Sequence, residues 1–576
     1  MPNIEVKRRN VTEILPSMAG LGLLARVYAG RNVNSPVEID YSLKQLIPPQ
    51  YLSGVKEAAE MLAEAVTAGA SIMIIGDFDA DGATSCAVAI KSLQAMGAQQ
   101  VDYLVPNRFQ FGYGLSPEIV GVAAMQQPDV LITVDNGISS IAGVHAAQAM
   151  GMSVIITDHH LPGDELPTAE VIVNPNMDYD KFPSKNLAGV GVIFYVMLAL
   201  RAQLRNTGWF EQINIAEPNM SQFLDLVALG TIADVVPLDK NNRILIQQGL
   251  QRIRAGQACA GVNALLKVGK RELANVAASD MGFVLGPRLN AAGRLEDMSV
   301  GIECLLSNDE NKALTLARQL DELNQARKEV EQDMRLEANK LVDELLVSKR
   351  GNPVGYCLSD QSWHQGVVGL VASRIKEQTQ RPVAILAPAD NTKSGGEWKG
   401  SLRSVVGVHI RDVLARVDAL NPELLTKFGG HAMAAGLSLQ YNNLGAFKKA
   451  FIDVLTDFTA NHDWEQIIWT DGELSEQDFT LTTAELLHSH SPWGQGFPAP
   501  VFDGQFEVLD ARIVGETHVK MRLRARNSDE DVDAICFGYM QKHKELPRDL
   551  INAVYRLDVN HYQGRKTLQL MIEHIF

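Results

Sequence analysis

The sequence lacks any apolar run long enough to cross a membrane, which excludes a helical membrane protein. Cysteine is scarce: Cys86, Cys259, Cys304, Cys357 and Cys536 are scattered, with no CxxC pair. That scatter excludes a disulfide framework and a thiolate zinc site and fits a reducing compartment. The N-terminal stretch MPNIEVKRRNVTEILPS carries charge but no apolar core, so no secretory signal is expected and the expected location is cytoplasmic. Positive charge is also short, leaving a formal net charge of −16. An acidic excess disfavours a polyanionic partner unless charge is segregated by face or metal cations neutralise an acidic site. A nucleic-acid reading therefore has to find its basic surface locally. What remains is 46% hydrophobic and 21% charged over 576 residues, a globular composition sufficient for several domains.

The pattern changes along the chain. Residues 1–47 are poorly periodic and read as an arm packed on a neighbouring domain. Over residues 48–306, apolar β-branched segments (SIMIIGD, DVLITVDNG, SVIITDHH) alternate with helical ones, which predicts an α/β domain with a parallel sheet buried on both faces. Residues 307–350 hold no Gly or Pro, and Leu316, Leu320, Leu323, Val330, Met334, Ala338 and Leu341 fall near helical spacing. One long connecting helix is expected; irregular heptads make a coiled-coil dimer the lesser alternative. Residues 351–460 read as a smaller α/β domain, and residues 461–576 as a small β-barrel or sandwich with about five strands.

The most informative stretch is IMIIGDFDADG, Ile72 to Gly82. It places Asp77, Asp79 and Asp81 at every second position after an apolar strand. Like charges packed this closely raise each other's pKa, so a cation is expected among them. An EF-hand begins D-x-D-x-D-G, but its twelfth position needs a bidentate Glu and here holds Val88. Solvated surface carboxylates fail on context, because two other strands end similarly, with Asp135 in VDNG and Asp158, His159 and His160 in TDHH. Ligands bind beyond the carboxyl ends of parallel strands. Asp234 in LGTIADVVPL adds a further carboxylate. Asp77, Asp79, Asp81, Asp135, His159 and Asp234 make a mostly oxygen donor set, suited to two Mn²⁺ or Mg²⁺ ions, with Asp135 as the bridging candidate.

These motifs resemble, in order, those of the DHH phosphoesterase superfamily, and KGSLRS and FGGHAMAAG resemble its companion DHHA1 domain. GPRLNAAGR, the Leu323-Asn324…Arg327…Glu331 pattern and the terminal β domain resemble its branch of single-strand-specific 5′→3′ DNA exonucleases. Shorter members carry His where this chain has Ile75, and Asp77 stands in for it. The resemblance implies a DHH domain, a long helix, a DHHA1 domain and an OB-like domain. It implies two-metal hydrolysis of phosphodiester bonds to 5′-mononucleotides, in recombination and repair, mismatch repair included. It makes His159 a metal ligand and His160 the group beside the scissile phosphate, with Asp158 orienting the imidazole. It also implies a single-strand-binding protein and a RecQ-type helicase as partners, no membrane, and a monomer.

Phosphates need cations beyond the metals. The candidates are Arg108, Arg288, Asn290, Arg294, Ser401, Arg403 and His431, the last in a Gly-rich segment read as a helix start with anion-binding N–H groups. In HVKMRLRAR, Lys520, Arg522, Arg524 and Arg526 alternate with apolar residues, which predicts one cationic strand face for tracking a single strand; a charge-guarded edge is the plainer reading. Phe537, Tyr555 and Tyr562 are candidate stacking residues. Two other readings stay open: a DHH phosphodiesterase for short oligonucleotides or cyclic dinucleotides, and a binding subunit with a decayed site.

Overall fold

The structure is a computed structural model, and it describes all residues except 1–3, 12–13, 107–113, 349–352, 390–395, 461, 463, 465, 491, 527–529 and 563–564. The chain forms two compact units. One comprises residues 6–289, 298–318 and 468–576; the other comprises residues 1–5, 290–297 and 319–467.

The first unit is built on a five-stranded parallel sheet: β1 (Ser71–Ile75), β2 (Gln100–Leu104), β3 (Val130–Val134), β4 (Ser153–Thr157) and β5 (Val171–Val173), in the order β2-β1-β3-β4-β5. β1, β3 and β4 are β-branched and buried on both faces, so they read as continuous apolar runs. Met73, Ile75, Leu131, Val154 and Ile156 pack on one face against Ile119, Val120 and Val144. Each such side chain, fully buried, contributes about 1.5–3 kcal/mol. The strand order reverses between β1 and β3, since β2 lies on the far side of β1. The crevice at such a switch point is where open α/β sheets bind ligands. Helix α1 (Ala80–Ala95) leaves β1 through the acidic loop, and α2 (Gly189–Asn206) and α3 (Leu224–Ala233) cover it.

The same unit contains the C-terminal barrel, formed by β11 (Phe502–Val514), β12 (His518–Ala525), β13 (Asp531–Cys536), β14 (Leu550–Tyr562) and β15 (Arg565–Ile575). It closes in the order β11-β12-β13-β15-β14, with β14 returning to β11 and β13 parallel to β15. This is the five-stranded barrel arrangement of OB-folds, here fully closed. Phe502, Phe506, Val519, Leu523, Tyr555 and Leu570 fill its interior. Tyr555 is therefore a core residue and not a stacking platform, because period-2 alternation turns it inward. The N-terminal arm supplies Tyr28, buried against Trp493 and Phe497, and Arg31, which forms a bidentate pair with Asp471.

The second unit carries a mixed sheet: β6 (Tyr356–Ser359), β7 (Val383–Pro388), β8 (Glu397–Arg403), β9 (Lys427–Gly430) and β10 (Ala434–Gln440), ordered β9-β10-β8-β7-β6. Only β6 and β7 run parallel. The helix Glu310–Ser348 is continuous over 39 residues, as its composition predicts. FGGHAMAAG departs from expectation. It is a β-hairpin, not a helix start: the exposed His431 donates its N–H to the Ala434 carbonyl, and Gly430 sits at φ +138° to allow the turn. Its glycines serve strand reversal and offer no helix-terminal anion site.

Candidate metal and phosphoester site

The carboxyl edge of the parallel sheet gathers Asp77, Asp79, Asp81, Asp135, Asp158, His159, His160 and Asp234. Three groups of donor atoms lie within 4.8 Å of one another: Asp77–Asp79–Asp135, Asp81–His159–Asp234 and Asp135–His159–His160. Asp135 and His159 are each shared by two groups.

Local structure fixes each donor. Asp79 is the N-cap of α1, its Oδ1 accepting the N–H groups of Asp81 (2.9 Å) and Gly82 (3.0 Å). Asp81, fully buried one residue into that helix, also meets the N-terminus of α2. Gly189 N–H donates to its Oδ2 at 2.6 Å and Val190 N–H to its Oδ1 at 3.0 Å. A helix N-terminus suits a carboxylate. This approach requires glycine, since a Cβ on Gly189 would lie 2.5 Å from Asp135 Cβ. A Cβ on Gly230 of α3 would lie 2.8 Å from Asp81 Oδ1 and 2.2 Å from Thr84 Oγ1.

Asp135, and the residue that follows Asp234, adopt left-handed backbone. Asp135 has φ +63°, in the left-handed region that Asp tolerates better than most residues. Asp234 caps the C-terminus of α3, against the helix dipole, and is followed by Val235 at φ +63°. A β-branched residue there costs about 1–3 kcal/mol. Asp234 Oδ2 is 3.6 Å and Asp135 Oδ1 3.0 Å from His159 Nε2. Neither contact is aligned as a hydrogen bond, so His159 Nε2 and Asp234 Oδ2 are buried without one. A ring nitrogen and carboxylates converging without a shared proton fit the donor set of a divalent cation.

Titration follows from burial and charge. Burial pushes the Asp81 carboxyl well above its ordinary value, reinforced by Asp234 and Asp79. Asp135 rises likewise, from burial and then from Asp81, Asp79, Asp234 and Asp77. Burial lowers His159 despite the nearby carboxylates, so its imidazole is neutral and able to ligate. His160 goes the other way. Burial pulls it down, but Asp158 Oδ1 at 2.7 Å from its Nδ1, with Asp234 and Asp77, pushes it up to about 9. Burial alone would raise Asp158; hydrogen bonds from the His160 ring and backbone and from Ile138 N–H bring it below its ordinary value. The tandem histidines thus take opposite states, one neutral and one cationic. Asn174 and Asn176 hold the loop by donating to the carbonyls of His160 (2.8 Å) and His159 (2.5 Å). Sequence reading missed these two asparagines and the Gly189–Val190 cradle. The NPN turn after β5 was their one local signal.

The phosphate candidates divide. Arg108 lies outside the described residues. Arg288 is half-buried, with Nη1 donating to Val284 O at 2.6 Å. In the second unit, Arg294 donates to Gly366 O at 3.2 Å, and Asn290 is half-buried on the same helix, Gly286–Leu295. Arg403 bonds Ser401 Oγ (2.9 Å), Leu402 O (2.8 Å) and Ser373 Oγ (3.2 Å), all neutral, and burial lowers its pKa. A guanidinium held by neutral acceptors keeps its charge for an anion. By contrast, Arg327 is consumed by Asn324 (3.2 Å) and Glu331 (2.7 Å).

The cationic strand face is corrected. Lys520, Arg522 and Arg524 do project from β12 opposite buried Val519, Met521 and Leu523, but Arg526 lies beyond the strand and donates to Gln505 at 2.8 Å. The neighbouring β13 presents Asp531 and Asp533 on the same face. Lys520 pairs with Asp533 (3.0 Å), and Arg522 and Arg524 with Asp531 (3.0 and 2.9 Å). Antiparallel register turns the cations into a largely neutralised ladder.

Comparison with known proteins agrees with this geometry. Family models match residues 71–231 (DHH family, N-terminal domain), 345–457 (DHHA1 domain) and 470–574 (RecJ OB domain). A relative from Dickeya dadantii, single-stranded-DNA-specific exonuclease RecJ, is 50% identical over 574 residues, covering 99% of each chain. The Escherichia coli protein of that name is 49% identical over 577 residues, covering 100% of this chain and 99% of its own. The chain belongs to the RecJ family. A Thermus thermophilus RecJ structure in complex with Mn²⁺ covers 100% of this chain and 79% of its own, at 29% identity and TM-score 0.79. A second RecJ structure from that organism is in complex with Mg²⁺ (TM-score 0.74, 27% identity). The RecJ fold, with DHH, DHHA1 and OB domains, is thus the fold seen here.

Proposed function

We propose that this chain is a metal-dependent exonuclease specific for single-stranded DNA, hydrolysing phosphodiester bonds 5′→3′ and releasing 5′-mononucleotides. The observation that carries it is the pairing, at one sheet edge, of a shared-donor carboxylate cluster with a cationic His160 clamped by Asp158. Full-length relatives named as single-stranded-DNA-specific exonucleases support it.

Asp77, Asp79, Asp81, Asp135, His159 and Asp234 hold two divalent ions, Mn²⁺ or Mg²⁺, the ions named for the related structures. When bound, the ions neutralise phosphate charge and lower the pKa of water. The protein supplies the rest. Asp158 fixes the His160 ring through Nδ1, leaving Nε2 to donate to the departing oxygen. The α2 N-terminus holds Asp81 in place through two N–H groups. Arg403 with Ser401, and Arg288 and Arg294, bind substrate phosphates, the DHHA1 pair reading the strand's 5′ end. The setting is recombination and repair in the cytoplasm, with a single-strand-binding protein and a RecQ-type helicase as partners by family resemblance.

The test is a time course on a long 5′-labelled single strand beside a duplex of the same sequence, with Mn²⁺ or Mg²⁺ and then EDTA. Early release of labelled mononucleotide, from the single strand only and with metal only, is expected. Label retained on a shrinking strand would refute the polarity, and binding without shortening would refute the chemistry.

A further inference from the structure

The long helix carries a motif that the site chemistry leaves without a role. Glu331 accepts from Arg327 Nη1 at 2.7 Å, one turn earlier, and from Arg374 Nε at 3.2 Å. Arg374 belongs to the helix Val368–Thr379, in the same compact unit. Val371, Ala372 and Ile375 of that helix share one buried core with Met334 and Ala338 of the long helix and with Val383 of β7. Apolar packing is non-directional, so it holds the helix close without fixing its rotation. The ion pair with Glu331 supplies a direction.

The residue before Arg374 touches the phosphate candidate of this unit. Arg403 ends the central strand β8, opposite Val383 on β7 and Ala434 on β10. Its Nε donates to Ser373 Oγ at 3.2 Å, and the Ser373 hydroxyl donates to Gly369 O at 3.0 Å. A hydroxyl can accept and donate at once, so both bonds stand together. Arg403 Nη1 is held by Ser401 Oγ and Leu402 O. Nη2 has no hydrogen bond to the protein among the described residues. Gly369 keeps that corner open, since a Cβ there would stand 3.1 Å from Nη2 and 3.2 Å from Ser401 Oγ, tighter than ordinary contact. The guanidinium is thus gripped at two nitrogens and presented at the third. Its acceptors are uncharged. A carboxylate at position 373 would grip it as firmly but would consume the charge that an oxyanion needs.

We propose that Ser373 and Gly369 are positioning residues for the strand's terminal phosphate, setting Arg403 so that Nη2 meets a phosphate oxygen, and that the Arg327–Glu331 motif sets their helix through Arg374. The inference rests on the reading above of Arg403 as a reader of the 5′ end.

The experiment uses the full chain in EDTA, so that binding is read without cleavage. Thymidylate strands with a 3′ fluorophore and either a 5′-phosphate or a 5′-hydroxyl are measured by anisotropy. The readout is the ratio of the two dissociation constants, which a general loss of strand binding does not move. Wild type should prefer the phosphorylated end. Ser373→Ala should cut that preference about tenfold, the effect of one hydrogen bond to a charged group. Ser373→Thr, which keeps the hydroxyl, should retain it. Gly369→Ala should cut it without lowering the melting temperature, because Gly369 lies in ordinary helical backbone, where alanine is the better helix former. Arg374→Gln should give a smaller loss, and an unchanged preference there would overturn the role given to Glu331. Full preference in both Ser373→Ala and Gly369→Ala, or an equal loss of affinity for both ends, would overturn the positioning role. Equal binding of the two ends by wild type would instead refute the end-reading role of Arg403, so the two failures are distinguishable.

Discussion

Replacing Asp135 with Asn should stabilise the metal-free protein and remove its response to metal. Asp135 is 2% exposed, and its donor atom lies within 4.8 Å of those of Asp77 and Asp79. Two unit charges at 4.8 Å repel by about 3.5 kcal/mol at an effective dielectric constant of about 20. The metal-free cluster takes up protons instead of bearing all of that, so the relief in Asp135→Asn is smaller, about 1–3 kcal/mol. Melting entropy scales with residue count, so in a unit of this size each kcal/mol shifts melting by about 1 °C, and the variant should melt about 1–3 °C higher in EDTA. Backbone strain does not confuse the comparison, because Asn tolerates the φ of +63° as Asp does. Wild type at about a hundredfold excess of Mn²⁺ over its dissociation constant gains about 2.7 kcal/mol, roughly 3 °C. The variant should gain little and should not cleave. Scanning calorimetry of both proteins, with EDTA and then Mn²⁺, reads all four states. An Asp135→Asn protein that melts lower in EDTA and keeps the full metal-dependent gain would refute the repulsion argument and the metal assignment together.

Other outcomes rest on single contacts. In the metal-free protein His160 should titrate near 9 against an ordinary 6.5, read by NMR of its ring protons. A raised folded-state pKa stabilises most below 6.5, and that contribution is lost as pH rises through about 9. The stability gap between wild type and His160→Gln should therefore narrow over that window, and a constant gap would exclude the ion pair. Gly189→Ala would set a methyl 2.5 Å from Asp135 Cβ, so metal affinity should fall more than tenfold in calorimetric titration, while Gly163→Ala, whose methyl would meet Glu165 O at an ordinary 3.7 Å, should not change it. Converting Asp531 and Asp533 to Asn would unmask Lys520, Arg522 and Arg524. Single-strand binding should then tighten and its salt dependence steepen, and an unchanged salt slope would show that the ladder does not face the strand.

Much of this protein is legible locally. The β-branched runs before Asp77, Asp135 and Asp158 mark buried parallel strands, because a strand covered on both faces needs no polar alternation. Parallel strands deliver the residues at their carboxyl ends to one edge, so acids after three such runs predict a cluster before the fold is known. The uninterrupted helix Glu310–Ser348 is dictated by composition alone. Partnership across the chain is not legible in this way. No periodicity reveals that Gly189 and Val190 deliver their N–H groups to Asp81 more than a hundred residues earlier. The alternation of Lys520, Arg522 and Arg524 shows a cationic face, but only the register with β13 places Asp531 and Asp533 against it. FGGHAMAAG reads as a glycine-rich helix start, and only the antiparallel pairing of β9 with β10 makes it a hairpin. The sequence by itself determined which residues carry charge and which segments form strands, because those depend on neighbours two to four positions away. Tertiary structure decided which charges remain available, because neutralisation and burial act between residues that meet only in the folded chain.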